Sequence, residues 1–254
     1  MPDLTFIRDD AVLHIRKTPL ALPEAYRSRV DSFWEDLNRD GRFFNGDVLA
    51  ATQLEIADSC ASLELAITDY AHYMYANQDK ANEFDCAAVY GAILILTSDR
   101  YLLLGEMGSH TSSPGQIQCP GGGIELSADQ QLDARSCCQR ELEEEIGAPL
   151  WEDRLWFRPL CVKSGGDHST VGLFYALQIK GDVAAALTMF ESHQSGLRSA
   201  GEKPEFDRLH AVRFEEASLR EFIETPAVQM VDYLRPLLLD RLADVIAALE
   251  IPQG

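Results

Sequence analysis

The feature that most narrows the fold of this chain is a pair of apolar runs joined by four turn-forming residues. Ala88 to Leu96 is the first run, Thr97-Ser98-Asp99-Arg100 is the turn, and Tyr101-Leu102-Leu103-Leu104 is the second run. Short apolar segments bounded by turn residues are strands buried in a sheet, so the pair predicts a buried strand hairpin at the centre of an α/β structure. A polar stretch from Gly108 to Gln118 follows, with Pro114-Gly115 inside it, and reads as a loop. It leads into Cys119-Pro120-Gly121-Gly122-Gly123-Ile124-Glu125. A helix is then expected, opened by the capping pair Ser127 and Gln130 and closed at Gly147 with Pro149 just beyond.

The remaining elements surround that unit. Arg158 to Lys163 and Val171 to Ile179 read as strands, Val183 to Glu191 as helix, Ser192 to Asp207 as a polar loop, and Leu209 to Phe214 as a last strand. Ala217 to Leu249 supplies helices interrupted at Pro226 and Pro236. Upstream, Leu4 to Ile7 and Ala11 to Ile15 are expected strands about an Asp9-Asp10 turn. Ala25 to Leu37 is a helix, Val48 to Ile56 and Leu63 to Ile67 are strands, and Tyr70 to Asn77 is a second helix. The polar run from Asn77 to Asn82 is the expected boundary. It divides an N-terminal α/β portion, residues 1–85, from a main domain with C-terminal helices, residues 86–254. The expected architecture is an α/β/α sandwich around a mixed sheet, with the added N-terminal portion shaping a substrate pocket.

Composition excludes some functions. With 46% hydrophobic and 25% charged residues the chain can bury a substantial core. Its formal charge of -19 repels phosphate backbones and anionic lipid, which argues against nucleic-acid or membrane-surface partners. A small anionic substrate is compatible if a metal ion supplies local positive charge. The six cysteines show no Cys-x-x-Cys pair, and adjacent Cys137 and Cys138 read as small apolar residues of a helix. No basic leader or membrane-length apolar run is present in the sequence, so a reduced, cytoplasmic protein is expected.

The chemistry concentrates in Arg140-Glu141-Leu142-Glu143-Glu144-Glu145-Ile146-Gly147. On an α-helix, Glu141, Glu144 and Glu145 stand at i, i+3 and i+4, which puts three carboxylates on one face within a turn. Such stacking repels itself unless solvent or a cation separates the charges, and many acidic faces are simply solvated. Here the same helix follows a glycine triplet and a buried strand pair. Hard carboxylate oxygens converging from one face are what Mg²⁺ or Mn²⁺ takes, with phosphate oxygens and water completing the shell.

These residues resemble the box of the Nudix hydrolases: Gly, five residues, Glu, seven residues, then Arg-Glu-aliphatic-x-Glu-Glu-x-Gly-aliphatic. The second half matches from Arg140 through Ala148, with Ala148 a small stand-in for the aliphatic residue. In the first half Gly122 takes the glycine position, but its spacing to Arg140 is four residues too long. Counting forward puts Ala128 at the first box glutamate and counting back puts Leu132 there, with Asp129 and Asp133 as nearby substitutes. Four residues are about one helical turn, roughly 40° of phase error, so the insertion is expected to lengthen the helix at its start without rotating the glutamate face.

The resemblance covers about residues 86 to 216. It implies a Nudix-type sandwich, Mg²⁺ or Mn²⁺ as cofactor, and metal ligation by Glu141, Glu144 and Glu145. Arg140 would pair with a glutamate to hold the helix, Gly121, Gly122 and Gly123 would contact substrate, and Glu144 or Glu205 would accept the water proton. Glu202, Glu215 and His168 are rivals to Glu205. The implied reaction is attack of water on a diphosphate in a nucleoside diphosphate derivative. Phe43-Phe44-Asn45-Gly46 and Thr68-Asp69-Tyr70 also resemble the leading domain of UDP-sugar-cleaving Nudix enzymes, which favours a nucleotide sugar. The alternatives are a nucleoside triphosphate pyrophosphohydrolase and an inactive Nudix-fold nucleotide-binding or regulatory protein.

Overall fold

The computed structural model describes residues 1–16, 18–78, 83–126, 132–167, 169–225 and 229–250. Its centre is the expected hairpin: β5 (Val89–Leu96) and β6 (Tyr101–Met107) pair antiparallel, with Ile95 opposite Leu103. β5 is buried on both faces by period-two alternation. Val89, Ile93 and Ile95 join one core cluster, whereas Ala92, Leu94 and Leu96 join the other.

The large sheet is mixed and nine-stranded. β10 (Val171–Ile179) runs parallel to β5 and antiparallel to β9 (Arg154–Ser164), whose far side pairs with β1 (Asp3–Phe6). On the other flank β6 pairs with β7 (Gln116–Gln118) and β11 (Phe206–Arg213), and β12 (Gln229–Met230) lies parallel to β7. The short strand β8 (Gly121–Gly123) pairs antiparallel with β5. One face is covered by α3 (Ala134–Leu142) and α5 (Val183–Ser199), the other by α6 (Glu216–Ile223), the helical turn Pro236–Asp240 and α7 (Leu242–Leu249). This is the expected α/β/α sandwich. Cys138, Leu142 and Ile146 are fully buried beneath the glutamate helix, and Cys138 sits where a Cβ on Gly91 would be 2.6 Å from its Sγ. No described helix is long and apolar enough to cross a membrane.

A second, three-stranded sheet has the order β2 (Val12–Ile15), β4 (Cys60–Asp69), β3 (Asp47–Ala57) and carries α1 (Glu24–Leu37) and α2 (Tyr70–Ala76). It abuts the large sheet through an Ala50–Ala88 bridge, whereas β1, which precedes β2 in the chain, forms the edge of the large sheet beside β9. Asp69 caps α2 by accepting from His72 N at 2.9 Å, and Asn45 Oδ1 accepts from Ala71 N at 2.7 Å.

Several expectations change. The stretch expected as loop before the glycines contains β7, and the glycine triplet is a strand. α5 runs eight residues past the expected Glu191, to Ser199. Pro236 begins a helical turn, where its missing N–H costs nothing. The glutamate helix starts at Ala134, because Asp133 accepts from Arg135 N at 3.0 Å and supplies the cap. The described helix therefore does not reach back to the expected start, and residues 127–131 lie outside the described residues. The Ser127–Gln130 capping pair, Ala128, Asp129, His168, Pro226 and positions 79–82 of the expected boundary lie outside the described residues.

Candidate active site

α3 does not end at Leu142 but widens into a π-helical turn over Glu143–Gly147, then passes Gly147 at φ +119° into α4 (Ala148–Glu152). In a turn closed by i→i+5 bonds, residues four apart align along the axis better than residues three apart. Glu141 and Glu145 accordingly both point inward, 9% and 1% exposed, while the side chain of Glu144 is 59% exposed. The three carboxylates expected on one face are thus split into a buried pair and an outer one.

The buried pair rests on the glycine strand. Gly121 N donates to Glu145 Oε2 at 2.9 Å, and a Cβ on Gly122 would stand 2.5 Å from the Glu141 carboxyl carbon. Arg140 donates to Glu141 at 2.8 Å and reaches Glu144 at 3.4 Å and Glu125 at 3.5 Å, so it ties the helix to the segment after the glycines. Burial raises the Glu141 carboxyl to about 7 against the opposing charge of Arg140, with Glu144, Glu205 and Glu125 adding repulsion. Burial raises Glu145 well above the ordinary carboxylate range, reinforced by Glu205 and Glu141. Glu205, exposed at the start of β11 yet close to this group, is raised by partial desolvation and by Glu144, against the pull of His110.

The rival acids fall elsewhere. Glu202 is an exposed residue between α5 and β11, and Glu215 pairs with Arg213 at 3.1 Å at the start of α6. Asp133 is occupied as a helix cap, and Leu132 packs against the core.

Among the described residues, no three Asp, Glu, His or Cys side chains converge on a point as a self-sufficient metal cage. The donor set nevertheless fits a cation that shares its shell. Glu145 Oε1 is fully buried with no hydrogen-bond partner, which is costly for a carboxylate oxygen, and Glu205, Glu141 and Glu144 add repulsion to the charge. Mg²⁺ is commonly held by one or two carboxylates, with phosphate oxygens and water filling the remaining positions.

The glycine strand lines a cleft of about 890 Å³, together with Glu125 and Glu205. The same cleft is lined by Asp47, Tyr70 and Tyr73 of the N-terminal portion and by Lys163, Thr170 and Asp232; in the sheet register Gly123 lies opposite Tyr90, Tyr90 opposite Gly172 and Gly172 opposite Lys163, which sets Lys163 three strands from the glycine strand. Lys163, Thr170 and Asp232 were not singled out in the sequence. The available signal was a lysine closing the apolar strand Leu160-Cys161-Val162, where a charge has no reason to be buried unless it is used.

No family model and no curated relative matches the chain. Among solved structures it is similar to the DR0079 protein of Deinococcus radiodurans, at 13% identity over 75% of this chain and 96% of that one, with a TM-score of 0.48. The NUDIX domain of NrtR from Shewanella oneidensis, solved with ADP ribose, is 13% identical over 72% of this chain and 99% of that one, with a TM-score of 0.40. A Nudix hydrolase of M. smegmatis, RenU, is 11% identical over 65% of this chain and 89% of that one, also with a TM-score of 0.40.

Proposed function

We propose that this chain is a Nudix-type pyrophosphohydrolase that uses a divalent cation to split the diphosphate of a nucleoside diphosphate derivative, preferably a nucleotide sugar. The observation that carries the reading is the partnerless, buried Oε1 of Glu145, set among like charges directly behind the glycine strand that lines the cleft. An interior arrangement of that kind is unfavourable for folding and favourable for seating a cation. Glu141 and Glu145 would hold Mg²⁺ or Mn²⁺, with Glu144 at the outer side. Such an ion supplies charge to the phosphate oxygens and acidifies a water.

The remaining roles belong to the chain itself. Arg140 holds Glu141 and Glu144 in place. Gly121, Gly122 and Gly123 let a diphosphate approach the backbone without side-chain obstruction. Glu205, which lines the cleft and whose carboxyl is raised by desolvation, accepts the water proton, with Glu144 the other candidate. The N-terminal portion, divided from the main domain near residue 85, contributes its own sheet and part of the cleft wall. Residues there would contact the part of the substrate beyond the phosphates.

One observation favours an inactive nucleotide-binding protein instead: Leu132, the position counted back to the first box glutamate, is apolar and packed. A panel of nucleotide sugars, dinucleoside diphosphates and nucleoside triphosphates, incubated with Mg²⁺ or Mn²⁺, separates the readings. Wild type is expected to cleave the sugar-linked or nucleoside-linked diphosphates, with activity lost in Glu145→Gln and reduced in Glu144→Gln. Binding without hydrolysis by all three proteins overturns the enzyme reading. Cleavage of triphosphates alone overturns the preference for a nucleotide sugar.

A further inference from the structure

The cleft holds a second polar group, made of Lys163 on β9, Thr170 just before β10 and Asp232 just after β12. Lys163 on β9 is 1% exposed overall, yet its side chain lines the cleft, where it is the one cation among the described lining residues. Its ammonium donates to Thr170 Oγ1 at 2.8 Å and to the Thr170 carbonyl at 3.4 Å. Asp232 Oδ2 stands 3.9 Å away, outside hydrogen-bond reach, and that oxygen already accepts from Asp167 N at 2.7 Å. An ammonium has three N–H donors, so one is left facing only a distant carboxylate. A purely structural ion pair in the interior would close to bonding distance, because an imperfectly paired buried charge is strongly unfavourable.

The surroundings restrict what that third donor can take. Asp232 and Asp167 flank the ammonium, so the local charge is not positive and a phosphate would meet two carboxylates. An uncharged group that carries both acceptor and donor atoms suits the Lys163 and Asp232 pair better. Tyr90 and Tyr233 line the same cleft, and Phe174 packs edge-on behind Tyr233 at 4.7 Å, so the two tyrosines present an apolar surface that the core holds in place.

We infer that Lys163, Thr170 and Asp232 form a subsite for the uncharged, hydrogen-bonding end of the substrate, a nucleobase or sugar edge, while its phosphates lie at the glycine strand. The inference rests on the reading of the cleft as the site of an organic diphosphate. It assigns the glycine strand and the Lys163 group opposite chemistry and so fixes which way round the substrate lies.

Calorimetric titration in saturating Mg²⁺ tests it with four probes: methylenediphosphonate, which has no organic group; uridine and adenosine monophosphates, which carry a base; and glucose 1-phosphate, which carries a sugar. Lys163→Met is expected to weaken either the nucleoside monophosphates or the sugar phosphate by about tenfold or more, the scale of a lost charged hydrogen bond, and to leave methylenediphosphonate unchanged. The class that weakens names the group. Asp232→Asn, which keeps the shape and the bond from Asp167 N, is expected to weaken the same class and guards against a folding defect in the lysine variant. Equal weakening of all four probes means that Lys163 acts on phosphate and overturns the inference, leaving the hydrolase reading intact. No change in any probe overturns it too. If wild type binds none of the four, the diphosphate reading fails and the subsite goes with it.

Discussion

Replacing Glu145 with glutamine is expected to lower hydrolysis by on the order of a thousandfold while making the metal-free protein more stable, because the two effects arise from the same carboxylate. In the fold Glu145 is 1% exposed, its Oε2 takes one hydrogen bond from Gly121 N, and its Oε1 takes none. Glutamine keeps the acceptor for Gly121 and replaces the partnerless oxygen with an amide donor facing a carboxylate-rich surrounding. The charge that burial and Glu205 oppose disappears with it. Activity assays and calorimetric melting of the same preparation check both halves. A variant that melts lower than wild type without metal, or that keeps its activity, contradicts the assignment.

Gly122→Ala is expected to fold normally and lose metal affinity by roughly ten- to a hundredfold, the scale seen when the support of a metal ligand is disturbed. The new Cβ would lie 2.5 Å from the Glu141 carboxyl carbon and Oε2. That carboxyl is the free end of a flexible side chain, so it can swing aside at little structural cost, but only by leaving its position. The neighbouring Gly121→Ala serves as the contrast. There φ is +152° and the Cβ would fall 2.1 Å from the carbonyl oxygen of Gly91 in β5, where only backbone could yield. It is expected to destabilise the fold by about 3 kcal/mol or more. Denaturant melts and Mn²⁺ titration of both variants distinguish the two outcomes. Loss of stability in Gly122→Ala would mean that the strand, rather than the ligand, is what the glycine protects.

Much of the fold was legible because it depends on local pattern. The two-sided burial of β5 and the apolar stripe of Cys138, Leu142 and Ile146 follow from strand and helix periods. The bias of the site toward carboxylate was legible as well, in the run from Glu141 to Glu145. What was hidden had long-range or geometric causes. β7 and β12 are too short to show a period: β7 forms by pairing with β6, and β12 because Gln229 and Met230 come back to lie beside Gln116 and Ile117. The widened turn at Glu143–Gly147 leaves composition unchanged, so the separation of Glu144 from Glu141 and Glu145 could not be read. Asp133 and Ser127 are both good caps by residue type, so residue type alone did not choose between them; Asp133 bonds the first turn of the helix that begins at Ala134. Lys163 and Asp232 are 69 positions apart, and nothing but the fold sets them together in a cleft.

The most direct test of the central claim is the melting temperature of wild type and Glu145→Gln across pH, with and without Mg²⁺ or Mn²⁺. For a carboxyl raised in the fold, the stability it contributes is present below its unfolded pKa and lost as pH rises through the folded value. For Glu141 that window runs from about 4.5 to about 7, a cost on the order of 3 kcal/mol, and Glu145 is displaced in the same direction. Glu141 carries that cost in both proteins, so the difference between them comes from Glu145: metal-free wild type should fall progressively behind the glutamine variant as pH rises above the ordinary carboxylate range. Metal added above pH 7 should restore wild type and leave the variant unmoved. If the metal shifts both proteins equally, or neither, the buried glutamates do not seat a cation.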